Sequence, residues 1–163
     1  MKKKSLLSIR ALELFVTGLG VGRSPILPGT LGTLWGVGLV FLLRDCPTFL
    51  FLILTALSFL LSCYLVHIYE MKTLTHDQSE VIVDEIVGYM VTMLFVPIHW
   101  KTLLLAFFLF RLFDMLKPFP VSYFDKHVTG GFGVVMDDVV AGIIANLILH
   151  WVLWNTTWLG ILS

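Results

Sequence analysis

Between Thr48 and Tyr69 the chain runs for 22 residues without a single Asp, Glu, Lys or Arg. As a helix rising about 1.5 Å per residue, this stretch is about 33 Å long, enough to cross the hydrocarbon of a bilayer. The rest of the chain keeps the same character. Hydrophobic residues make up 58% of its 163 positions and charged residues 13%, against roughly 45–50% and 25% in soluble domains. An ordinary soluble enzyme surface cannot be built from that composition. Eleven basic residues balance eleven acidic ones, which argues against a nucleic-acid partner and against a charged disordered tail. Cys46 and Cys63 lack a C-x-x-C spacing and lie toward opposite ends of one apolar stretch, so neither a disulfide nor a structural zinc is expected. The expected class is an all-α integral membrane bundle, a single domain over residues 1–163.

Four further apolar segments, Leu31 to Leu43, Val81 to Val96, Thr102 to Leu116 and Val139 to Trp154, are shorter or carry charge at one end. With Thr48–Tyr69 they predict five membrane-embedded helices, separated at Pro28-Gly29, Arg44 to Pro47, Pro97 to Lys101, and Pro118 with Pro120. Ahead of them, Ser5 to Thr17 gathers Leu6, Ile9, Leu12 and Leu14 with Val16 near one side while Arg10 and Glu13 stay polar. That pattern predicts an amphipathic helix lying on the membrane, retained rather than cleaved as a signal peptide. If the five helices alternate from a cytoplasmic N-terminus, nine of eleven basic residues fall inside, all but Arg44 and Lys101, as the positive-inside rule requires. Ten of eleven acidic residues, all but Asp45, fall on the same side. Carboxylates gathered at the ends of apolar helices are the feature to explain.

Four motifs hold the chemistry. Gly18 to Thr33 is a glycine and proline loop feeding a helix; its backbone N–H groups and helix N-terminus suit an oxyanion, with Thr30 and Thr33 as hydroxyl donors. The same glycines would also serve close helix packing. Asp84-Glu85 precede an apolar helix, with Gly88 one turn beyond Asp84. One acid there would serve as a helix-terminus partner, but two in succession suggest a metal ligand and a neighbour that orients water. Arg111, Asp114 and Lys117 follow at i, i+3 and i+6, either as an Arg111–Asp114 pair with Lys117 snorkelling, or as functional charges on one side of a helix. Gly130, Gly131 and Gly133 lead to Asp137-Asp138, expected to head another helix, with Ala141 and Gly142 a turn later. Five carboxylates on the inner side supply oxygen ligands for one or two hard cations, and Mg²⁺ shared with a substrate phosphate is the natural candidate.

His67 and His150, single polar residues on apolar helices, are expected to pack or sit at an interface; Asp125 and His127 have no assigned role. The tryptophans Trp35, Trp100, Trp151, Trp154 and Trp158 include several near the outer helix ends, as an interfacial belt would. An inner cluster of carboxylates, cations and glycine-rich helix starts suits phosphate hydrolysis on a membrane-held substrate. Neither a cysteine-phosphatase loop nor a D-x-D-x-T nucleophile is present, which leaves metal-activated water as the simplest nucleophile.

The segments P-G-T-x-G-T at Pro28 to Thr33, D-E-x-V-G at Asp84 to Gly88, F-R-x-F-D-x-x-K-P-x-P at Phe110 to Pro120, and G-G-x-G then D-D-x-x-A-G from Gly130 to Gly142 resemble bacterial phosphatidylglycerophosphatase A. The resemblance extends from about Gly18 to the terminal Leu159 to Ser163. It implies a Mg²⁺-dependent lipid phosphatase of the bacterial inner membrane, with its active site facing the cytoplasm, that converts phosphatidylglycerophosphate to phosphatidylglycerol and inorganic phosphate. It also implies that Asp84, Glu85, Asp114, Asp137 and Asp138 bind Mg²⁺ and position or deprotonate water. Arg111, Lys117, Arg23 and the Gly29–Thr33 segment, with Gly29, Thr30, Gly32 and Thr33, would then hold phosphate. Two other classes compete. A CDP-alcohol phosphotransferase would carry a D-G-x-x-A-R run, absent here, and a transporter or assembly subunit would spread its charges toward the bilayer midplane. No oligomeric state is specified.

Overall fold

The computed structural model describes residues 10–74 and 80–156. Among them every regular element is helical: residues 10–16, a 3₁₀ turn at Val21–Arg23, α1 (Pro28–Leu42), α2 (Thr48–Thr73), α3 (Val83–Thr92), α4 (Trp100–Leu116), α5 (Val121–His127) and α6 (Gly130–Asn155). The all-α expectation therefore holds. The expected surface helix is helical from Arg10 onward; its earlier residues, Trp158 and the Leu159–Ser163 terminus lie outside the described residues.

Two helices, α2 and α6, are long and apolar enough to cross a membrane. Helices α1, α3 and α4, with 15, 10 and 17 residues, reach about 22, 15 and 26 Å, less than a hydrocarbon core of about 30 Å. Large apolar side chains nonetheless face outward on several helices, among them Leu57, Leu60, Phe108, Leu147, Trp151 and Trp154. An outward apolar surface of this kind is the expected boundary with lipid, where no hydrophobic gain comes from turning such groups inward.

Helix α6 is the hub, contacting α2, α3, α4 and α5, while α1 packs on α3 and α4. Its start corrects the expectation that Asp137-Asp138 head a helix: α6 begins at Gly130, and both aspartates lie about two turns inside it. The glycines expected to form a lead-in loop are part of the helix because a side chain at Gly131 would run into the backbone of Cys63 and His67 on α2. Close approach to α2 thus favours glycine where intrinsic propensity disfavours it. A second correction is α5, which occupies the expected inner loop after Pro120. Seven residues make too few turns to display a helical period.

Although its first turn carries two acids, α3 is buried along most of its length. Gly88 meets α4 and α6 at once, since a Cβ there would lie 2.6 Å from the Phe110 ring and 2.8 Å from the Asp138 carbonyl oxygen. Tyr89 adds a hydrogen bond to the Leu103 carbonyl at 2.8 Å and an edge-to-face contact with Phe110.

At its other end α3 leaves the Thr92 carbonyl, and just beyond it that of Leu94, to donors from outside the helix. Asn146 of α6 donates to the carbonyls of Thr92 and Leu94, both at 2.9 Å, and His150 Nε2–H donates to Leu94 at 3.2 Å. His150 thereby has a packing role, as expected for a lone histidine on an apolar helix. Replacing Asn146 with Leu, which removes two donors while keeping volume, is expected to cost about 2 kcal/mol. A lowered thermal midpoint of the detergent-solubilised protein would register that cost; an unchanged midpoint would show that the carbonyls find other donors.

Candidate active site

The N-terminal turns of α1 and α3, the C-terminal end of α4 and the second and third turns of α6 meet around a cavity of about 240 Å³. Pro28 and Gly29 come from α1, Asp84 and Glu85 from α3, Arg111, Asp114 and Lys117 from α4 and its C-cap, and Asp137 and Asp138 from α6. Four sequence segments spread over 110 residues therefore share one wall.

Local helix chemistry sets each group. Asp84 and Glu85 occupy the first turn of α3, where free N–H groups and the helix dipole favour negative charge. Asp84 Oδ1 accepts the Glu85 N–H at 3.1 Å, and Asp137 Oδ1 accepts the Asp138 N–H at 3.0 Å. Pro28 opens α1, a position where its missing N–H costs nothing. Beside it, Gly29 admits two side chains against the helix: a Cβ there would lie 2.5 Å from Glu85 Oε1 and 3.0 Å from Arg111 Nη1.

Pairing the charges isolates a subset. Arg111 is hydrogen-bonded to Asp114, and Lys117 bridges Asp125 and Asp137, the latter at 2.9 Å. Burial alone would lower the Lys117 pKa, but its hydrogen bonds to Asp125 and Asp137 outweigh that and hold it above the usual lysine value. Asp84, Glu85 and Asp138 remain, with no cationic partner among the described residues. These three offer carboxylate oxygens that all lie within 4.8 Å of one another.

Buried carboxylates without compensation are costly, and the geometry of these three suits a shared cation. Oxygens about 2.1 Å from one octahedral ion lie about 3–4.2 Å apart, so small side-chain adjustments would bring the triad into range. Two further observations fit a cation and an anion bound here: among the described residues, Glu85 Oε2 and Arg111 Nε are buried atoms without a hydrogen-bond partner. The three carboxylates form an all-oxygen donor set that could hold a metal ion.

The expected phosphate-binding residues divide. Arg111, Lys117 and Gly29 line the cavity. Gly32 stands behind it, where a Cβ would come within 3.2 Å of Glu85 Oε2. Thr30 lies outside the cavity wall, and the Thr33 hydroxyl donates to the Gly29 carbonyl of its own helix at 2.9 Å. Arg23 pairs with Glu13 and, at 3.4 Å, with Glu80, and is not among the residues that line the cavity. Close packing of Gly22 against the Glu80 backbone draws this loop toward residue 80 instead. Asp125, left without a role in the sequence, is a partner of Lys117; no spacing rule links two residues across the intervening double-proline turn.

Comparison with known proteins adds an independent finding. A family model described as Phosphatidylglycerophosphatase A matches residues 14–153. A Haemophilus influenzae protein named Phosphatidylglycerophosphatase A is 42% identical over 159 residues, covering 94% of this chain and 96% of that protein. An Escherichia coli protein of the same name is 36% identical, covering 93% and 88%. A Bacteroides thetaiotaomicron protein provisionally named a phosphatidylinositol-3-phosphatase is 35% identical, covering 94% and 98%. No solved structure matches the chain at a significant level.

Proposed function

The chain belongs to the phosphatidylglycerophosphatase A family, and on that premise we propose that it hydrolyses phosphatidylglycerophosphate to phosphatidylglycerol and inorganic phosphate, with Mg²⁺ as cofactor. The observation that carries the reading is the trio Asp84, Glu85 and Asp138, the two aspartates buried and the glutamate half-buried, with no cationic partner among the described residues, beside Arg111 and Lys117. In this proposal the trio holds the metal. When bound, Mg²⁺ would supply charge to phosphate oxygens and acidify a coordinated water. Arg111, whose Nε–H lacks an acceptor, donates to a phosphate oxygen. Lys117, with two of its three N–H donors engaged by Asp125 and Asp137, offers the third. Asp114 and Asp137 orient these two cations. A water gives up a proton as its oxygen bonds to phosphorus, the bond from phosphorus to the glycerol oxygen breaks, and that oxygen takes up a proton in exchange, leaving phosphatidylglycerol and inorganic phosphate. Fixed cations aimed at the charge developing on the phosphate oxygens lower the barrier without reorganisation.

The proposed setting is the cytoplasmic face of a bacterial inner membrane. There α2 and α6 cross the bilayer, α1, α3 and α4 are embedded beside them, and residues 1–163 act as one domain. The inside bias of the basic residues supports that orientation. The test is phosphate release by the purified protein in detergent micelles, with Mg²⁺ and with a chelator. Release from phosphatidylglycerophosphate is expected to fall at least about tenfold on chelation. Chelator-insensitive release would reject the metal, and no release from folded protein would reject the phosphatase. The name of the Bacteroides relative makes phosphatidylinositol 3-phosphate the comparison substrate, expected to be turned over more slowly.

A further inference from the structure

Gly36 and Gly38 stand two residues apart on α1, and helix packing explains only the first. A Cβ at Gly36 would come within 3.1 Å of Tyr89 Cβ, so this glycine lets α1 close on α3; a Cβ at Gly38 would meet nothing within 4 Å. Gly38 instead belongs to the wall of an apolar groove of about 630 Å³, with Leu31, Leu34, Trp35, Leu39 and Leu42. Residues recurring every three or four positions form one stripe along a helix. From Leu31 to Leu42 the stripe rises about 16 Å, about the depth of one leaflet in a hydrocarbon core of about 30 Å.

Ile86 of α3, next in sequence to Glu85, also lines this groove. A second apolar groove of about 300 Å³ shares Trp35, Leu39 and Ile86, and extends toward Leu61 of α2 and Leu14 and Phe15. The two grooves thus share a wall. They also abut the first turns of α1 and α3, whose Gly29 and Glu85 line the carboxylate cavity.

We propose that the paired grooves are the diacyl subsite of the substrate, with one acyl chain on each side of the Trp35–Leu39 wall and the phosphate end in the cavity. This rests on the lipid-phosphatase reading. Adjacency points to the occupant: Ile86 of the grooves follows Glu85 of the cavity on the first turn of α3, so a lipid with its phosphate at Arg111 would send its chains along α1 toward the bilayer midplane, through these grooves. An acyl chain gains little hydrophobic energy by leaving lipid for an apolar groove, since both surroundings are apolar. The subsite therefore acts by orientation, holding the glycerol backbone so that the phosphorus stays in register with the cavity.

The series Gly38→Ala, Gly38→Leu and Gly38→Phe tests this. The added side chains enter open space and improve helix propensity, so the fold tolerates them. The assay compares kcat/KM on dipalmitoyl and dihexanoyl phosphatidylglycerophosphate in mixed micelles with Mg²⁺. The long-chain value is expected to fall in order of side-chain volume, about tenfold for Gly38→Phe, while the short-chain value falls less, so that the ratio shifts. Leu147→Phe, on an exposed part of α6 that lines neither groove, should leave the ratio within about twofold. A phosphatidylglycerol probe with a photoactivatable acyl chain should crosslink within residues 31–42, and less so in Gly38→Phe. An unchanged chain-length ratio, or crosslinks confined to other segments, would overturn the subsite. So would a change of oligomeric state in Gly38→Phe that accounts for its loss, because a second copy would then fill the groove. Absence of release by the unsubstituted protein on both substrates would instead remove the phosphatase reading, and the subsite with it.

Discussion

Asp138→Asn is expected to reduce phosphate release by about 10³-fold while raising the thermal midpoint of the metal-free protein. The two effects have one cause. Asp138 is 4% exposed and shares its site with Asp84 and Glu85, neither of which has a cationic partner among the described residues. Without a bound cation the three carboxylates repel one another in surroundings that solvate them poorly. Asn keeps the shape of the side chain and removes one charge, so the metal-free fold should gain stability, by about 3 °C in midpoint. The same change removes a ligand, so the stabilisation conferred by added Mg²⁺ should shrink. Simple structural damage would lower activity and midpoint together, which makes the opposed signs diagnostic. Asp137→Asn provides the contrast: its carboxylate is paired with Lys117 at 2.9 Å, so its loss should lower the midpoint. Near-wild-type turnover by Asp138→Asn with Mg²⁺ would reject the trio as the metal site.

How far this site is legible in the sequence depends on the range over which each relation acts. The five carboxylates, Arg111 and Lys117 stand out because charged residues bordering apolar helices are expensive and need a reason. Their gathering on one wall follows from the inner-side bias of the acidic residues. The spacing of Arg111 and Asp114 allows an intrahelical pair, and the pair is present. For Lys117 the sequence leaves snorkelling and a functional charge both open; in the fold it turns to Asp125 and to Asp137, twenty positions away. Only that tertiary bond separates Asp137 from the unpaired trio, so five equivalent candidates could not be sorted from sequence. The start of α6 was hidden for a related reason. Glycines read as a loop by propensity, yet the approach of α6 to Cys63 and His67 makes them the residues that fit. Arg23 shows the converse, since the ion pairs that place it beside Glu13 and Glu80 are tertiary and leave no trace in the glycine loop around it.

Arg111→Lys, which preserves charge, is expected to lower kcat/KM by about 10²-fold. The guanidinium has two tasks in different directions: one terminal nitrogen holds Asp114, while Nε is buried with no partner. Its plane lies against Gly29, where a Cβ would be 3.0 Å from Nη1 and 3.2 Å from Nη2. An ammonium has three donors, but they radiate from one nitrogen and cannot reproduce the spacing between Nη1 and Nε that the rigid fork provides. A lysine at this position would settle on Asp114 and leave the phosphate with one cation fewer. The deficit should fall mainly on kcat, because charge on the phosphate oxygens is redistributed most in the transition state, and an interaction made there lowers kcat and kcat/KM alike when removed. Arg23→Lys is the matched comparison. Its arginine is about half exposed and paired with Glu13 and Glu80 outside the cavity, so the exchange should alter kcat/KM by less than about twofold. Equal losses at the two positions would mean that both arginines act through the fold; a loss confined to Arg111, with an unchanged midpoint, would mean that its fork acts on the substrate.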